Sequence, residues 1–127
     1  MELVAIVTVL ALIEYLVLGV QVGQARGRYC VEAPATTGHP IFERHFRVHQ
    51  NTLEQLAVFL PALWLFAVYV SGPLAAALGL VFVVARVIYA RGYVADPKKR
   101  GTGALLTAVT TSVLLLGGLI GALVRLL

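Results

Sequence analysis

The sequence has 127 residues, of which 60% are hydrophobic and only 13% are charged, with a formal net charge of +4. An ordinary soluble domain is about half apolar and about a quarter charged, so this composition excludes that class and indicates an integral membrane protein. The positive charge does not indicate nucleic-acid binding, because the basic residues cluster at the ends of apolar segments and not along one face or tail.

Four apolar segments reach or approach the roughly 20 residues that a helix needs to cross a bilayer. They cover residues 3–24, 46–70, 74–93 and 103–127. The first follows Met1 without a basic region or a cleavage motif, so we expect a mature span and not a secretory signal. The connection Ser71-Gly72-Pro73 is a tight turn, which makes the second and third spans antiparallel neighbours. We therefore predict one domain over residues 1–127, an all-α antiparallel four-helix transmembrane bundle.

Basic residues flank the first and third connections, whereas the second connection carries no charge. They are Arg26, Arg28, Arg44 and Arg47 around the first connection, and Arg91, Lys98, Lys99 and Arg100 around the third. The positive-inside rule then places both charged connections in the cytoplasm and both termini on the opposite side. Trp64 and Tyr69, near the far end of the second span, fit an aromatic belt at the opposite interface; Trp64 equally fits a contact between helices.

Polar residues interrupt two of the apolar segments, each time on one helical stripe. In the second span, a spacing of i, i+4 and i+7 joins Arg47, Asn51 and Glu54. In the third span, a spacing of i, i+3 and i+7 joins Arg86, Tyr89 and Tyr93. An ionisable side chain within the bilayer costs several kcal/mol unless it is paired or hydrated, so these residues are candidates for function. A purely structural polar network is the alternative interpretation.

Antiparallel packing brings the two stripes to the same depth. At a rise of 1.5 Å per residue, Glu54 lies about 12 Å from the start of the second span and Arg86 about 10 Å from the end of the third. We predict an ion pair between Glu54 and Arg86, with Arg26 and Arg100 above it. Positive charge exceeds negative charge there, so the expected ligand is a small anionic or zwitterionic molecule.

Other polar residues allow more than one interpretation. Glu14 lies in the middle of the first span without an evident partner at its depth, and is either a packing contact with another helix or functional. His39, His45 and His49 do not have the spacing of a metal site, and no cysteine or carboxylate completes one, so we predict no metal. Cys30 is the only cysteine, which excludes an intrachain disulfide.

The resemblance to a known family begins in the polar segment Phe42–Gln55 and continues through Phe59-Leu60-Pro61. It extends through Ala85–Tyr89 and Gly92-Tyr93 to Arg100, and so covers essentially the whole chain. These residues are similar to the signature of the MAPEG family, the membrane-associated proteins in eicosanoid and glutathione metabolism, which includes microsomal glutathione transferases and leukotriene C4 synthase. The resemblance implies a four-helix subunit, a homotrimer, and glutathione bound between neighbouring subunits near the cytoplasmic face.

The resemblance also implies roles for individual residues. The glutathione-binding positions of the family correspond to Arg26, Arg47, Asn51, Glu54, Arg86, Tyr89 and Tyr93. Arg100 corresponds to the arginine credited in leukotriene C4 synthase with activating the thiol, so Arg100 is the predicted catalytic residue. In this interpretation arginines bind the two glutathione carboxylates, Glu54 binds the ammonium group, and the guanidinium of Arg100 stabilises the thiolate.

Three positions differ from leukotriene C4 synthase: Gln55 replaces a tyrosine, His49 a glutamine and Gly27 an arginine. These differences favour a general membrane-bound glutathione transferase, with a role in detoxification. We predict that glutathione, as co-substrate, is conjugated to a lipophilic electrophile, with reduction of lipid hydroperoxides as a second reaction. Two alternatives stay open: a non-catalytic protein of this fold that binds lipid or glutathione, and a small transporter subunit whose intramembrane charges line a pathway.

Overall fold

The computed structural model describes residues 1–127 and consists of four long helices. Helix α1 spans Glu2–Tyr29, α2 spans Pro40–Tyr69, α3 spans Gly72–Ala95 and α4 spans Gly101–Leu126, with a 3₁₀ turn at Pro97–Arg100. All four are long and apolar enough to cross a membrane. Helices α2 and α3 form the middle of the bundle, because each of them packs against all three other helices. The predicted all-α arrangement of four spans is confirmed.

The ends of α1 and α2 extend beyond the apolar segments. Helix α1 continues to Tyr29, and Cys30 then adopts the left-handed conformation (φ 57°, ψ 43°) that commonly ends a helix. Helix α2 begins at Pro40, which is tolerated in a first turn, and the Nδ1 atom of His39 accepts a hydrogen bond from the backbone N–H of Ile41 at 3.2 Å. The first connection is therefore shorter than the apolar segments alone predict.

The apolar core lies in the half of the bundle that contains both chain termini. At its centre the rings of Phe59 and Phe82 stack with their centroids 3.7 Å apart, and Leu63 is fully buried. Helices α1 and α3 pack closely there, since a Cβ added at Gly79 would lie 2.5 Å from a methyl carbon of Val7. Van der Waals packing of this kind is a main stabilising interaction between helices in lipid.

Large apolar side chains cover the outside of the bundle. Leu16 is 66% exposed on α1, and Leu105 and Ile120 are 65% and 60% exposed on α4. In water such surfaces would be costly, whereas lipid chains or neighbouring subunits provide apolar partners for them.

The two charged connections lie at the same end of the bundle. Near the start of α2, Arg44 donates through Nη1 to the carbonyl oxygens of Val94 and Ala95 at 3.1 and 3.4 Å. These carbonyls belong to the last turn of α3, where the helix dipole favours a cation. At the opposite end, the guanidinium of Arg125 lies 5.2 Å from the ring centroid of Tyr69. The first and third connections therefore lie on one side of the membrane-spanning part.

Candidate functional site

Arg86 is the centre of a polar network inside the bundle. It is 1% exposed, and its Nη2 atom donates to Asn51 Oδ1 at 2.8 Å and to Thr52 Oγ1 at 2.9 Å. Thr52 in turn donates to the carbonyl of Val48 at 2.8 Å, so its hydroxyl acts both as donor and as acceptor. The guanidinium carbon of Arg86 also lies 4.2 Å from the ring centroid of Tyr89. Contacts from α2 and α3 thus fix the position of this arginine.

The predicted ion pair between Glu54 and Arg86 is wrong. Glu54 instead accepts a hydrogen bond from Arg47 Nη1 at 3.0 Å, and the two side chains are 52% and 50% exposed, respectively. Arg86 instead bonds to Asn51 and Thr52, which lie nearer the start of α2. Successive residues of a helix are about 100° apart, so Glu54 lies about 160° around the helix from Thr52 and about 60° from Asn51. Glu54 is therefore at the edge of the face that contacts Arg86, and its carboxylate bonds to Arg47.

A polar cavity of about 220 Å³ lies between α2, α3 and α4. Its lining consists of Arg47, Asn51, Gln55, Arg86, Tyr89, Arg100, Ala104, Thr107 and Ala108. Three of these residues are arginines and none is acidic, so the cavity is cationic and favours an anionic group.

The 3₁₀ turn holds Arg100 over the end of α3. Asp96 Oδ1 accepts a hydrogen bond from the backbone N–H of Lys98 at 3.0 Å, which fixes the start of the turn. The turn packs directly on Gly92, where an added Cβ would lie 2.7 Å from the carbonyl oxygen of Lys99. Arg100 is exposed and has no carboxylate within ion-pair distance. Its charge is therefore available to a ligand of the cavity.

Gly103 allows α4 to form the third wall of the cavity. A Cβ at this position would collide with the backbone nitrogen and Cα of Tyr89. One turn later, Thr107 donates to the carbonyl of Gly103 at 2.8 Å, so its hydroxyl needs no further partner. The close approach of the two helix backbones places α4 beside Arg86 and Tyr89.

Three of the predicted binding residues do not line the polar cavity: Arg26, Glu54 and Tyr93. Arg26 donates through Nη1 to the carbonyl of Ala35 at 2.7 Å, and its guanidinium carbon lies 4.7 Å from the ring centroid of Phe42. It is therefore held at the first connection, and the prediction that it covers the pocket of its own subunit is wrong. Tyr93 stacks on Tyr89, with ring centroids 5.7 Å apart.

The sequence pattern does not identify every residue of the polar network. Gln55 follows Arg47 by eight residues and Asn51 by four, so the helical stripe of α2 contains the signal for it. Thr52 and Thr107 give no comparable signal, because a buried threonine in a helix usually bonds only to its own backbone.

Comparison with known proteins decides the family. The profile of the MAPEG family matches residues 4–120, which is nearly the whole chain. The chain belongs to the MAPEG family. The assignment predicted from the polar segment of α2 and the end of α3 is confirmed. Together with its four long apolar helices, membership of MAPEG makes the chain an integral, multi-pass membrane protein.

Relatives of this MAPEG chain align over most of its length. Human microsomal glutathione S-transferase 2 is 40% identical over 119 residues, which are 94% of this chain and 81% of the relative. Leukotriene C4 synthase of Bos taurus is 37% identical over 98 residues, which are 77% and 65% of the two chains. An uncharacterized protein of Synechocystis sp. is 49% identical over 119 residues, which are 94% and 87%.

Proposed function

We propose that this MAPEG protein is a membrane-bound glutathione transferase. The observation that carries the proposal is the convergence of Arg47, Arg86 and Arg100 on one cavity within a membrane domain. Relatives named as a microsomal glutathione S-transferase and as leukotriene C4 synthase, at 40% and 37% identity, support the same ligand. Glutathione, as co-substrate, carries two carboxylates, which arginine guanidinium groups bind well.

The exposed pair of Arg47 and Glu54 provides a place for the zwitterionic end of glutathione. Its two side chains are about half exposed and only 3.0 Å apart. A glutathione carboxylate would bind Arg47, and its ammonium group would bind Glu54, so that the existing ion pair is exchanged for two pairs with the ligand. Asn51 and Tyr89 supply further polar contacts in the cavity.

Arg100 is the proposed catalytic residue. A free thiol has a pKa near 8.5, and only the thiolate is a good nucleophile. A guanidinium beside the sulfur stabilises the anion without losing its own proton, because arginine stays charged at every accessible pH. Arg100 suits this role since it lines the cavity and has no carboxylate partner. The thiolate sulfur would form a bond to the electrophilic carbon while the leaving group departs with the electron pair.

We also propose that the functional unit is a homotrimer, with glutathione bound between subunits. A volume of about 220 Å³ is below the roughly 300–1,000 Å³ of ordinary small-molecule sites, so one subunit encloses only part of a tripeptide. Arg26 lies outside the cavity of its own subunit and would reach the ligand of a neighbour. Co-assembly of Arg26→Ala and Arg100→Ala subunits tests this, because a shared site regains activity at interfaces that contain both arginines. No recovery in mixed trimers would contradict a shared site.

The polar cavity is proposed to face the cytoplasm, with both termini on the opposite side. The support is the excess of lysine and arginine at the end where the first and third connections lie. Reporter fusions after Leu127 and within residues 97–101 should report opposite sides of the membrane. Reports from the same side would contradict the four-span topology.

The second substrate is proposed to be a lipophilic electrophile or a lipid hydroperoxide that enters from the bilayer. The α4 wall of the cavity consists of the small residues Ala104 and Ala108 beside Thr107, and Ala108 is exposed on the outer surface. Small side chains leave room for an apolar substrate to approach the sulfur from the lipid side.

Turnover of the purified protein with glutathione and 1-chloro-2,4-dinitrobenzene tests the proposed function. The expected result is formation of the thioether with loss of chloride, and thiolate absorbance when glutathione binds. A matched hydroperoxide assay decides whether the protein is also a peroxidase. Binding without any turnover would favour a non-catalytic binding protein, and solute flux in vesicles without thiol chemistry would favour a transporter subunit.

A further inference from the structure

A second cavity lies on the opposite side of Arg86 from the polar cavity. It has a volume of about 710 Å³, lies between α1 and α3, and is lined mainly by apolar residues, among them Ile13, Val17 and Val87. Two charged residues also line it at depth, Glu14 and Arg86. Arg86 is thus the shared wall of the two cavities.

The polar atoms on this side of Arg86 are not satisfied within the protein. Both carboxylate oxygens of Glu14 are buried without a hydrogen-bond partner, and so is the Nε atom of Arg86. The Nη2 atom of the same guanidinium is bonded to Asn51 and Thr52 on the side of α2. A buried charge without a partner is costly, and a carboxylate and a guanidinium that face one cavity reduce that cost for each other.

No other acid is available to Arg86. The chain has only 6 acidic residues, and Glu2, Glu32, Glu43 and Asp96 lie at helix ends or in connections. Glu54 forms its ion pair with Arg47. Glu14, which the sequence leaves without an evident partner, is therefore the one carboxylate that lines a cavity together with Arg86.

We infer that Glu14 is a positioning residue of the reaction, acting through Arg86. Glu14 is the counter-charge that faces the guanidinium of Arg86 from α1, while Asn51 and Thr52 hold the same guanidinium from α2. Glu14 thereby moderates the positive potential that Arg86 contributes to the polar cavity, without touching the ligand there. The effect of Glu14 on the thiol rests on the proposed function. The pairing of Glu14 with Arg86 does not depend on that function.

The electrostatic effect follows from the charges around Arg86. The other titratable or charged groups that line the two cavities beside it are His45, Arg47, Tyr89, Arg91 and Arg100. None of these is a carboxylate, so removal of Glu14 leaves the two cavities beside Arg86 without any negative side chain. The bound thiolate should then become more stable, and the pH midpoint of its formation should fall.

The first test is the pH dependence of thiolate absorbance with saturating glutathione. Glu14→Gln should shift the midpoint to lower pH by about 0.5 to 1 unit. Glu14→Asp, which keeps the charge, should stay near the wild-type midpoint. Glu2→Gln is the matched control, since it removes the same charge from the exposed end of the same helix. An unmoved midpoint in Glu14→Gln would overturn the inference.

A second test does not depend on glutathione. Melting temperatures in detergent are measured for Glu14→Gln, Arg86→Gln and the double variant. If the two residues are a pair, each single variant leaves the other charge unpaired, and the double variant loses less than the sum of the single losses. Additive losses would overturn the inference. Failure of the wild type to bind glutathione would instead reject the proposed function. The double-mutant cycle of melting temperatures would then decide alone whether Glu14 pairs with Arg86.

Discussion

At the end of the bundle that contains the termini, the four helices are held by apolar packing, and at the other end they surround buried and exposed charges. Phe59, Leu63 and Phe82 are fully buried in the first region. In the second, Arg86 is equally buried but needs specific partners, whereas Arg100 is exposed. The same helices therefore serve two purposes along their length, stability at one end and, as proposed, ligand chemistry at the other.

This separation means that the two regions should respond differently to substitution. Changes in the apolar region should reduce the free energy of unfolding and leave chemistry intact in the protein that remains folded. Changes around the polar cavity should affect binding or turnover with little loss of stability, provided that no buried partner of Arg86 is removed.

The largest expected effect is on stability. Phe59→Ala removes a ring that stacks on Phe82 at 3.7 Å in a fully buried position. Such truncations typically cost about 3–5 kcal/mol, which unfolding in mixed detergent would measure. Val58→Ala, at a position on the same helix that is 46% exposed, is the control and should change stability by about 0.5 kcal/mol or less. Loss of glutathione affinity in the folded fraction of Phe59→Ala would contradict the separation of the two regions.

The next effect in size is on turnover. Arg100→Ala removes the cation beside the proposed position of the sulfur, which should raise the pKa of the bound thiol. Turnover at pH 7 should fall by about 10- to 1,000-fold, and the rising limb of the pH–rate profile should move to higher pH, while glutathione affinity changes little.

The controls for Arg100 are its neighbours in the 3₁₀ turn. Lys98→Ala and Lys99→Ala remove the same charge from exposed positions of that turn that do not line the cavity. Both should keep most of the activity. If Arg100→Ala retains wild-type turnover and pH profile, thiol activation belongs to another group, such as Tyr93 or a second arginine.

The contrast between the regions also explains what the sequence predicts well. A run of about 20 apolar residues determines a membrane span almost by itself, so four spans follow from composition. Composition does not determine the helix ends, because residues 25–29 and 40–45 contain charged side chains but are still helical. Hydropathy cannot distinguish a polar helical turn from a polar connection, whereas the cap at His39 does.

The lining of the polar cavity follows from the sequence only in part. Helical spacing places Arg47 and Asn51 on one stripe of α2, and both line the cavity. It wrongly predicts Glu54 as the partner of Arg86 and does not predict the bonds to Asn51 and Thr52, since depth along a span does not determine which side chains reach a residue of the neighbouring helix. The proximity of Glu14 and Arg86 is also invisible in the sequence, because α1 and α3 are not consecutive and no short turn joins them.

Glu54→Gln tests whether an exposed charge of the polar region acts on binding and not on stability. This change keeps the volume but removes the proposed partner of the glutathione ammonium group, so affinity should fall by about 2 kcal/mol, or roughly 30-fold. Stability should hardly change, since the ion pair with Arg47 is half exposed. Glu32→Gln, in the exposed first connection, is the matched control for net charge. Destabilisation or loss of assembly with normal affinity would show that Glu54 is structural.

The smallest expected effect concerns Trp64, at the far end of the apolar region. Its Nε1 atom donates to Thr8 Oγ1 on α1 at 3.0 Å, and the residue is 36% exposed. The structure thus supports the contact between helices, while an aromatic belt residue would be held by the interface and not by Thr8.

Trp64→Phe and Thr8→Val, measured singly and together by unfolding in detergent, should show a coupling energy of about 0.5–1 kcal/mol, typical of hydrogen bonds between membrane helices. Thr8 also donates to the carbonyl of Val4 at 2.8 Å, so Thr8→Val alone also removes this second hydrogen bond. The comparison of single and double variants cancels that contribution. A coupling energy of zero would show that the interface, and not the hydrogen bond, determines the position of Trp64.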